Sequence, residues 1–360
     1  MSNSFGKIFR ITTWGESHGN SIGVVIDGCP PGIEISLEFI QNELNRRRPG
    51  QSNITSPRNE RDKAHLRSGV IDNISTGMPI TLEIFNQDVD SSCYETIKDK
   101  WRPGHADFAY DMKYGIRDYR GSGRASGRET AARVAAGAVA KLILKRFHID
   151  IFAFTRAIGN IIAQTIDRAE IERNDIRSPD PDATQKMIKL INDTKLKKDS
   201  VGGIVELRIL GLPPGLGDPV FDKFHAVMAY AIMGIGAVRG IEIGDGFAVA
   251  RSTGSQNNDV FEKKGNKIGT RTNHGGGVLG GITTGEDFIL RAAIKPPPSI
   301  GIEQDTVDTK GNPAKIKIEG RHDPTVVPRI IPVVEAMAAI VTVDFLFQQE
   351  IIRSFKAIPS

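Results

Sequence analysis

Cysteine is nearly missing from this chain: Cys29 and Cys93 are the only two in 360 residues. Two thiols build neither a disulfide framework nor a metal-ligand cluster, and they suit a reducing compartment. Aromatic residues make up only 6% of the chain, and none falls in its most basic stretch, 46–67. That stretch carries Arg46, Arg47, Arg48, Arg58, Arg61, Lys63 and Arg67 against Glu60 and Asp62. Without interleaved rings for base stacking, an RNA-binding reading lacks its main support. A net charge of +4 likewise excludes a polyelectrolyte built for nucleic acid. No apolar run approaches membrane-spanning length; the densest, Ala336 to Phe347, is interrupted by Thr342 and Asp344. No basic region followed by an apolar stretch opens the chain, so no signal peptide is expected. No dinucleotide-binding Gly-x-Gly-x-x-Gly follows a strand, so a dehydrogenase reading lacks support. The expectation is a cytosolic protein with no membrane, nucleic-acid or metal partner.

What is present is a large apolar fraction, 39%, enough for an ample core. The chain also shows a worn internal duplication. Gly23-Val24-Val25-Ile26-Asp27-Gly28-Cys29-Pro30-Pro31-Gly32 precedes a helical pattern, and Gly203-Ile204-Val205-Glu206-Leu207 similarly reaches Gly211-Leu212-Pro213-Pro214-Gly215. Further on, Gly69-Val70-Ile71 with Ile74, Thr76 and Gly77 matches Gly277-Val278-Leu279 with Ile282, Thr284 and Gly285. Two matches in one order predict two similar halves, roughly 5–150 and 200–350, packed about a pseudo-twofold axis within a single domain, 1–360. Periodicity predicts helices over 36–47, 128–147, 183–196, 219–233 and 332–350. Asp218 and Pro219 read as the start of the fourth. The second and last are apolar nearly all round and belong in the middle. Strands are predicted at 22–27, 79–85, 151–161, 202–210, 241–250 and 287–295, in an α+β arrangement rather than a regular doubly wound sheet. Four long glycine-rich loops, 46–66, 102–127, 252–281 and 296–328, carry the polar motifs, and loops of that length are usually functional.

The most informative loop ends Arg120-Gly121-Ser122-Gly123-Arg124-Ala125-Ser126-Gly127-Arg128-Glu129-Thr130. Ser126 and Glu129 read as a capping box opening the helix 128–147. A helix start offers unpaired N–H groups and the positive end of a dipole, and flanking glycines and arginines suit a phosphate. His18, in Trp14-Gly15-Glu16-Ser17-His18-Gly19, and His105, in Arg102-Pro103-Gly104-His105-Ala106-Asp107, are the main acid–base candidates, because both lie in polar glycine turns. His274 and His322 lie in similar loops and rank below them; His65, His148 and His225 read as structural. A metal site from His18, His105, His274 and His322 matches no compact ligand spacing. Ser17 lacks the strand–elbow–helix context of a nucleophile, so a hydrolase is not indicated.

With Arg46-Arg47-Arg48-Pro49-Gly50 and Gly320-Arg321-His322-Asp323-Pro324, these motifs closely resemble the chorismate synthase family, in its order and spacing over roughly residues 5 to 350. The resemblance implies β-sheets sandwiching a helical core with an internal pseudo-twofold repeat. It implies a 1,4-trans elimination of phosphate and a C6 proton from 5-enolpyruvylshikimate 3-phosphate. Reduced FMN would lend an electron transiently and recover it, without net redox change. By resemblance, Arg124, Ala125, Ser126, Gly236, Ala237, Gly280, Lys295, Pro296, Pro297, Pro298, Ser299 and Arg321 meet FMN. Arg47 and Arg48 face substrate or a nicotinamide phosphate of NADP, while Arg102, Arg128 and Arg329 hold substrate anions. His18 stands by the leaving phosphate as its acid, and His105 protonates or stabilises the reduced flavin. Asp344 helps remove the C6 proton, and Ser17 and Ser126 assist by hydrogen bonds. The resemblance also implies a homotetramer. Gly236 replaces a common Asn or Gln, leaving FMN only backbone contacts there. Asn53 replaces a common basic residue and no nicotinamide domain is visible, so an external flavin reductase is expected. An FMN-dependent oxidoreductase is the rival enzyme, separable because it would consume hydride stoichiometrically.

Overall fold

The computed structural model describes residues 3–51, 54, 60–87, 92–318 and 323–356. The first half runs β1 (Ser4–Phe5), β2 (Arg10–Gly15), β3 (Ser21–Asp27), α1 (Leu37–Arg47), β4 (Ala64–Ser68), the hairpin β5 (Val70–Ile71) and β6 (Ile74–Ser75), and β7 (Ile80–Phe85). Two short helices, α2 (Ser92–Glu95) and α3 (Asp107–Tyr114), lead to α4 (Thr130–Lys145). The second half runs β8 (Asp150–Ile158), β9 (Ile161–Ile162), α5 (Pro181–Leu196), β10 (Gly203–Leu210), α6 (Phe224–Met233) and β11 (Val238–Ile243). After α7 (Gly254–Asn257) come the hairpins β12 (Phe261–Lys264) with β13 (Lys267–Thr270) and β14 (Val278–Leu279) with β15 (Ile282–Thr283). Strand β16 (Phe288–Ile294), the hairpin β17 (Gln304–Val307) with β18 (Pro313–Ile316), and α8 (Val327–Lys356) finish the chain.

The duplication is visible bond by bond. One sheet has the order β1-β2-β3-β7-β4, the other β11-β16-β10-β8-β9, all antiparallel, so β2-β3-β7-β4 corresponds to β8-β10-β16-β11. Gly32 N–H donates to Ser75 O and Gly215 N–H to Thr283 O, each at 2.9 Å. The Ser75 hydroxyl serves Ile33 N–H (2.8 Å) and Pro30 O, and that of Thr283 serves Leu216 N–H (2.9 Å) and Pro213 O. Thr76 N–H reaches Gly69 O and Thr284 N–H reaches Gly277 O, both at 3.0 Å. Since β8 is the counterpart of β2, the second half begins near Asp150 rather than 200, and α5 is inserted between its first two strands.

Between the sheets lie α4, against β3 and β7, and α8, against β8 and β10; the two helices pack on each other. The contact closes at Gly137, where a Cβ would come within 2.3 Å of Ala336 Cβ. Alanines and valines around both helices let backbones approach closely, and the core residues of both halves form one continuous cluster. Glu335 of α8 is buried there, held by Arg46 and Lys141 (2.6 Å each) and by Ala153 N–H (2.9 Å). These cations keep its carboxyl ionised, far below the usual range, although burial opposes them.

Several boundaries differ from expectation for local reasons. Asp218 does not open a helix: its N–H donates to Asp222 O in a tight turn, and α6 starts at Phe224. Ser126 caps a single 3₁₀ turn, Gly127–Glu129, accepting from Arg128 N–H (3.3 Å), while Glu129 turns to Arg133; the capping box is not formed. Strand β11 ends at Ile243, and a 3₁₀ turn covers Gly246–Arg251. The predicted helix 332–350, which runs through Thr342 and Asp344, is longer at both ends as α8. Val327–Phe355 is long and apolar enough to cross a bilayer, against expectation, but 94% of its most apolar window is buried inside the protein.

Candidate functional site

Segments from distant parts of the chain meet in a closed circuit of contacts. Ser17 Oγ donates to Gly121 O (3.2 Å), leaving a lone pair for His18 Nδ1–H (3.0 Å). The next residue, Ser122, holds a left-handed backbone (φ 80°) that turns its hydroxyl toward Arg102 Nη2 (2.6 Å) and His105 Nε2 (3.3 Å). Gly104 O accepts from Lys295 Nζ (2.5 Å), and two residues on, Pro297 O accepts from Ser200 Oγ (2.7 Å). Val201 N–H reaches Pro324 O (2.9 Å), and the preceding Asp323 pairs with Arg329. Arg329 Nε donates to Arg47 O (3.2 Å), the Arg47 guanidinium to Asp62 (2.6 Å), and Asp62 also takes Arg128. Arg128 Nε reaches Asn86 Oδ1 (2.8 Å), whose amide returns to Glu16 O and Gly19 O around His18.

The electrostatics are those of paired ions. Asp107 accepts from Arg102 Nε and Nη2 (2.7 Å each) and from His105 Nδ1 (2.9 Å), and these partners hold it well below the carboxylate range. With Nδ1–H turned to Asp107, His105 presents Nε2 as an acceptor to the Ser122 hydroxyl. Burial lowers the His105 pKa, with Asp107 opposing and Arg102 reinforcing, so the ring is neutral at pH 7. Asp62 is likewise held down by Arg47 and Arg128 against burial. His18 is wedged between Tyr94, edge to face at 5.7 Å, and Gly121, where a Cβ would lie 1.9 Å from the ring.

The circuit therefore brings together Ser17, His18, Arg47, Arg102, His105, Arg128, Lys295, Pro297 and Arg329. Pro298 packs at Gly104, with Pro296 and Ser299 in the same run, and Lys295 N–H donates to Ala237 O (2.9 Å), next to Gly236. Arg124, followed in the chain by Ala125 and Ser126, points to Gly15 O and Thr13 and lines a cavity of about 200 Å³ with Tyr230 and Gly234. Arg48 keeps a buried Nε with no hydrogen-bond partner among the described residues. Arg47, Arg102 and Arg128, expected to clamp ligand anions, are buried and already paired with Asp62 or Asp107.

Two expected residues lie elsewhere. Asp344 accepts from Lys7, Ile8 and Phe9 N–H and from Gln348, at the far end of β2 from His18. Six strand residues separate those ends, about 20 Å. Gly280 sits in the β14–β15 turn, whose Gly281 O caps the start of α6, while Gly236 follows its end, about 15 Å along the helix. Arg321, His322 and Asn53 lie outside the described residues. His274 pairs with Asp245 (2.6 Å), outside the circuit. Sequence reasoning missed Asp62, Asn86, Ser122 and the partner role of Asp107. Asp107 stood in a quoted motif and Asp62 in the basic run; Asn86 carried no local signal.

The family model for chorismate synthase matches residues 9–347. The chain is 53% identical to a chorismate synthase of Roseiflexus castenholzii over 352 residues, 98% of each chain. It is 51% identical to one of Methanococcoides burtonii over 351 residues, 96% of each. A crystal structure of chorismate synthase superposes with a TM-score of 0.78 at 32% identity, covering 96% of this chain and 93% of the other. Sequence motifs, fold and relatives agree end to end: the chain belongs to the chorismate synthase family.

Proposed function

We propose that the chain converts 5-enolpyruvylshikimate 3-phosphate to chorismate by 1,4-elimination of phosphate and the C6 proton, with reduced FMN as cofactor. Membership of the family makes it a lyase of aromatic amino-acid biosynthesis that uses a flavin. The observation that carries the finer reading is the circuit itself, in which hydrogen bonds tie the loops of two histidines to one set of arginine- and lysine-bearing segments. The residues present fit a flavin phosphate and ring: Gly127 and Gly236 have open space where a side chain would stand, and Lys295 and Arg124 supply charge. Arg124 to Ser126, Gly236, Ala237 and Lys295 to Ser299 would hold it. Reduced FMN would supply an electron-rich ring that eases departure of phosphate and a basic ring nitrogen to receive the C6 proton.

The chain's own residues do the rest. His18, fixed by Ser17 and Tyr94, donates a proton to the departing phosphate. His105 enters neutral, and an anion bound beside it raises its proton affinity, so Nε2 takes up a proton where negative charge gathers. Arg48, with its unpartnered Nε, takes a substrate anion, whereas Arg47, Arg102 and Arg128 act by fixing the loops that surround it. Asp344 ties the N-terminal segment to α8. An anaerobic assay with 5-enolpyruvylshikimate 3-phosphate and chemically reduced FMN tests the reading. Chorismate should form without stoichiometric hydride consumption, and His18→Ala and His105→Ala should each lose about 10²–10⁴-fold with the fold kept. Unchanged turnover in both variants would overturn the assignment.

A further inference from the structure

We infer that Asn86 is the positioning residue for the turn that carries His18, an inference that rests on His18 being the acid. Asn86 follows β7, and its backbone N–H donates to Asn20 O (3.0 Å), which fixes it beside the start of β3. Its side-chain Nδ2 donates to Glu16 O (3.0 Å) and Gly19 O (2.7 Å), the carbonyls on either side of Ser17-His18. Its Oδ1 accepts from Arg128 Nε (2.8 Å). Arg128 is itself buried and anchored to Asp62 and to Phe85 O (3.4 Å), so the acceptor side of the amide faces a fixed cation. Only one amide orientation satisfies all three partners: reversed, it would set N–H against guanidinium N–H and oxygen against two carbonyls. The turn has a single internal backbone bond, Gly19 N–H to Glu16 O (3.2 Å). The clamp from Asn86 therefore carries much of the definition of where the imidazole stands, and it links that ring to the arginine–aspartate pairs behind it.

Asn86→Asp isolates the clamp, because it keeps size and the acceptor for Arg128 but turns oxygen toward the two carbonyls. With reduced FMN under anaerobic conditions, kcat should fall roughly tenfold to hundredfold, the scale of a misplaced catalytic group. KM for 5-enolpyruvylshikimate 3-phosphate should stay within about twofold, the range of an undisturbed binding contact. In a His18→Ala background, Asn86→Asp should produce no further loss, since the group it positions is gone. A kcat within twofold of the parent, or an equal loss in both backgrounds, overturns the inference. A second readout is independent of turnover: the rate at which diethyl pyrocarbonate modifies His18, followed by peptide mass spectrometry. That rate should change several-fold in Asn86→Asp while modification of His274 does not; unchanged His18 reactivity overturns the inference. If the parent enzyme makes no chorismate, the proposed reaction fails, and the modification rates still decide whether Asn86 positions the ring.

Discussion

The space for one methyl group decides where His18 can be. A Cβ on Gly121 would lie 1.9 Å from His18 Cε1 and 2.4 Å from Nδ1, and its φ of +68° also disfavours a side chain. Gly121→Ala should therefore displace the ring and lower kcat at least about tenfold. Gly254→Ala, with open space and ordinary φ, should leave it unchanged, and steady-state kinetics on both variants check this. His105 gives a pH signature. Its folded pKa lies below its ordinary value, so below about pH 6.5 the unfolded chain takes up a proton that the folded state resists. Stability is full above that pH and falls as pH drops through the folded pKa. The depressed Asp107 acts only below the ordinary carboxylate range, so the window from about pH 7.5 to 5 belongs to histidine. His225, lowered by burial and Lys223, works in the same direction, so the difference between proteins is the measured quantity. The acid-side drop in melting temperature should be shallower in His105→Gln than in the parent; equal slopes would refute this. The motif Arg102-Pro103-Gly104-His105-Ala106-Asp107 made Arg102 and His105 legible, because they are near in sequence, but not the pairing of Asp107 or the hydroxyl of the more distant Ser122. Asn86 was not legible, because all its side-chain partners are remote.

At the scale of elements, the crossing of α4 and α8 is the tightest joint in the core. Gly137→Val would force atoms into Ala336, where Cβ already meets Cβ and Cα at 2.3 and 2.4 Å. Overpacking of this kind costs about 1–3 kcal/mol, so thermal unfolding should start several degrees lower. An unchanged midpoint would mean that the helices can separate more easily than their packing suggests. The apolar surroundings of these helices were plain from composition, since a helix without a polar face has to be covered on all sides. The starts of α6 and α4 were misread because Asp218 and Glu129 satisfy a turn and Arg133 instead of a helix terminus. The length of α8 was underestimated because Pro332 reads as a helix start, whereas α8 already begins at Val327 and carries Pro332 inside it.

For the whole molecule we propose a homotetramer fed with reduced FMN by a separate reductase. Light scattering should give four times the 39.2 kDa chain mass under assay conditions; a monomer at active concentrations would refute the assembly. NADPH with oxidised FMN, anaerobically and without a reductase, should yield little chorismate, and robust turnover in that mixture would overturn the expectation. Substrate anions should find Arg48 first, so Arg48→Ala should raise KM for 5-enolpyruvylshikimate 3-phosphate and weaken its salt dependence while FMN affinity holds.

The amino-acid sequence by itself determined the two-fold repeat, the buried helices and the loops that carry the histidines. Those features follow from short-range signals: paired glycine and proline turns, unbroken apolar surface, and polar residues bunched in glycine-rich segments. Only the tertiary structure decided which charges are spent and which remain. Arg47, Arg102 and Arg128 look alike in sequence to Arg48, yet three are closed against Asp62 and Asp107 and one retains a donor. It also separated Asp344 from His18, and it set Asn86 behind the His18 turn. Such distinctions depend on which residues from opposite ends of the chain become neighbours, and the burial that makes an unpaired charge costly exists only once both halves have packed.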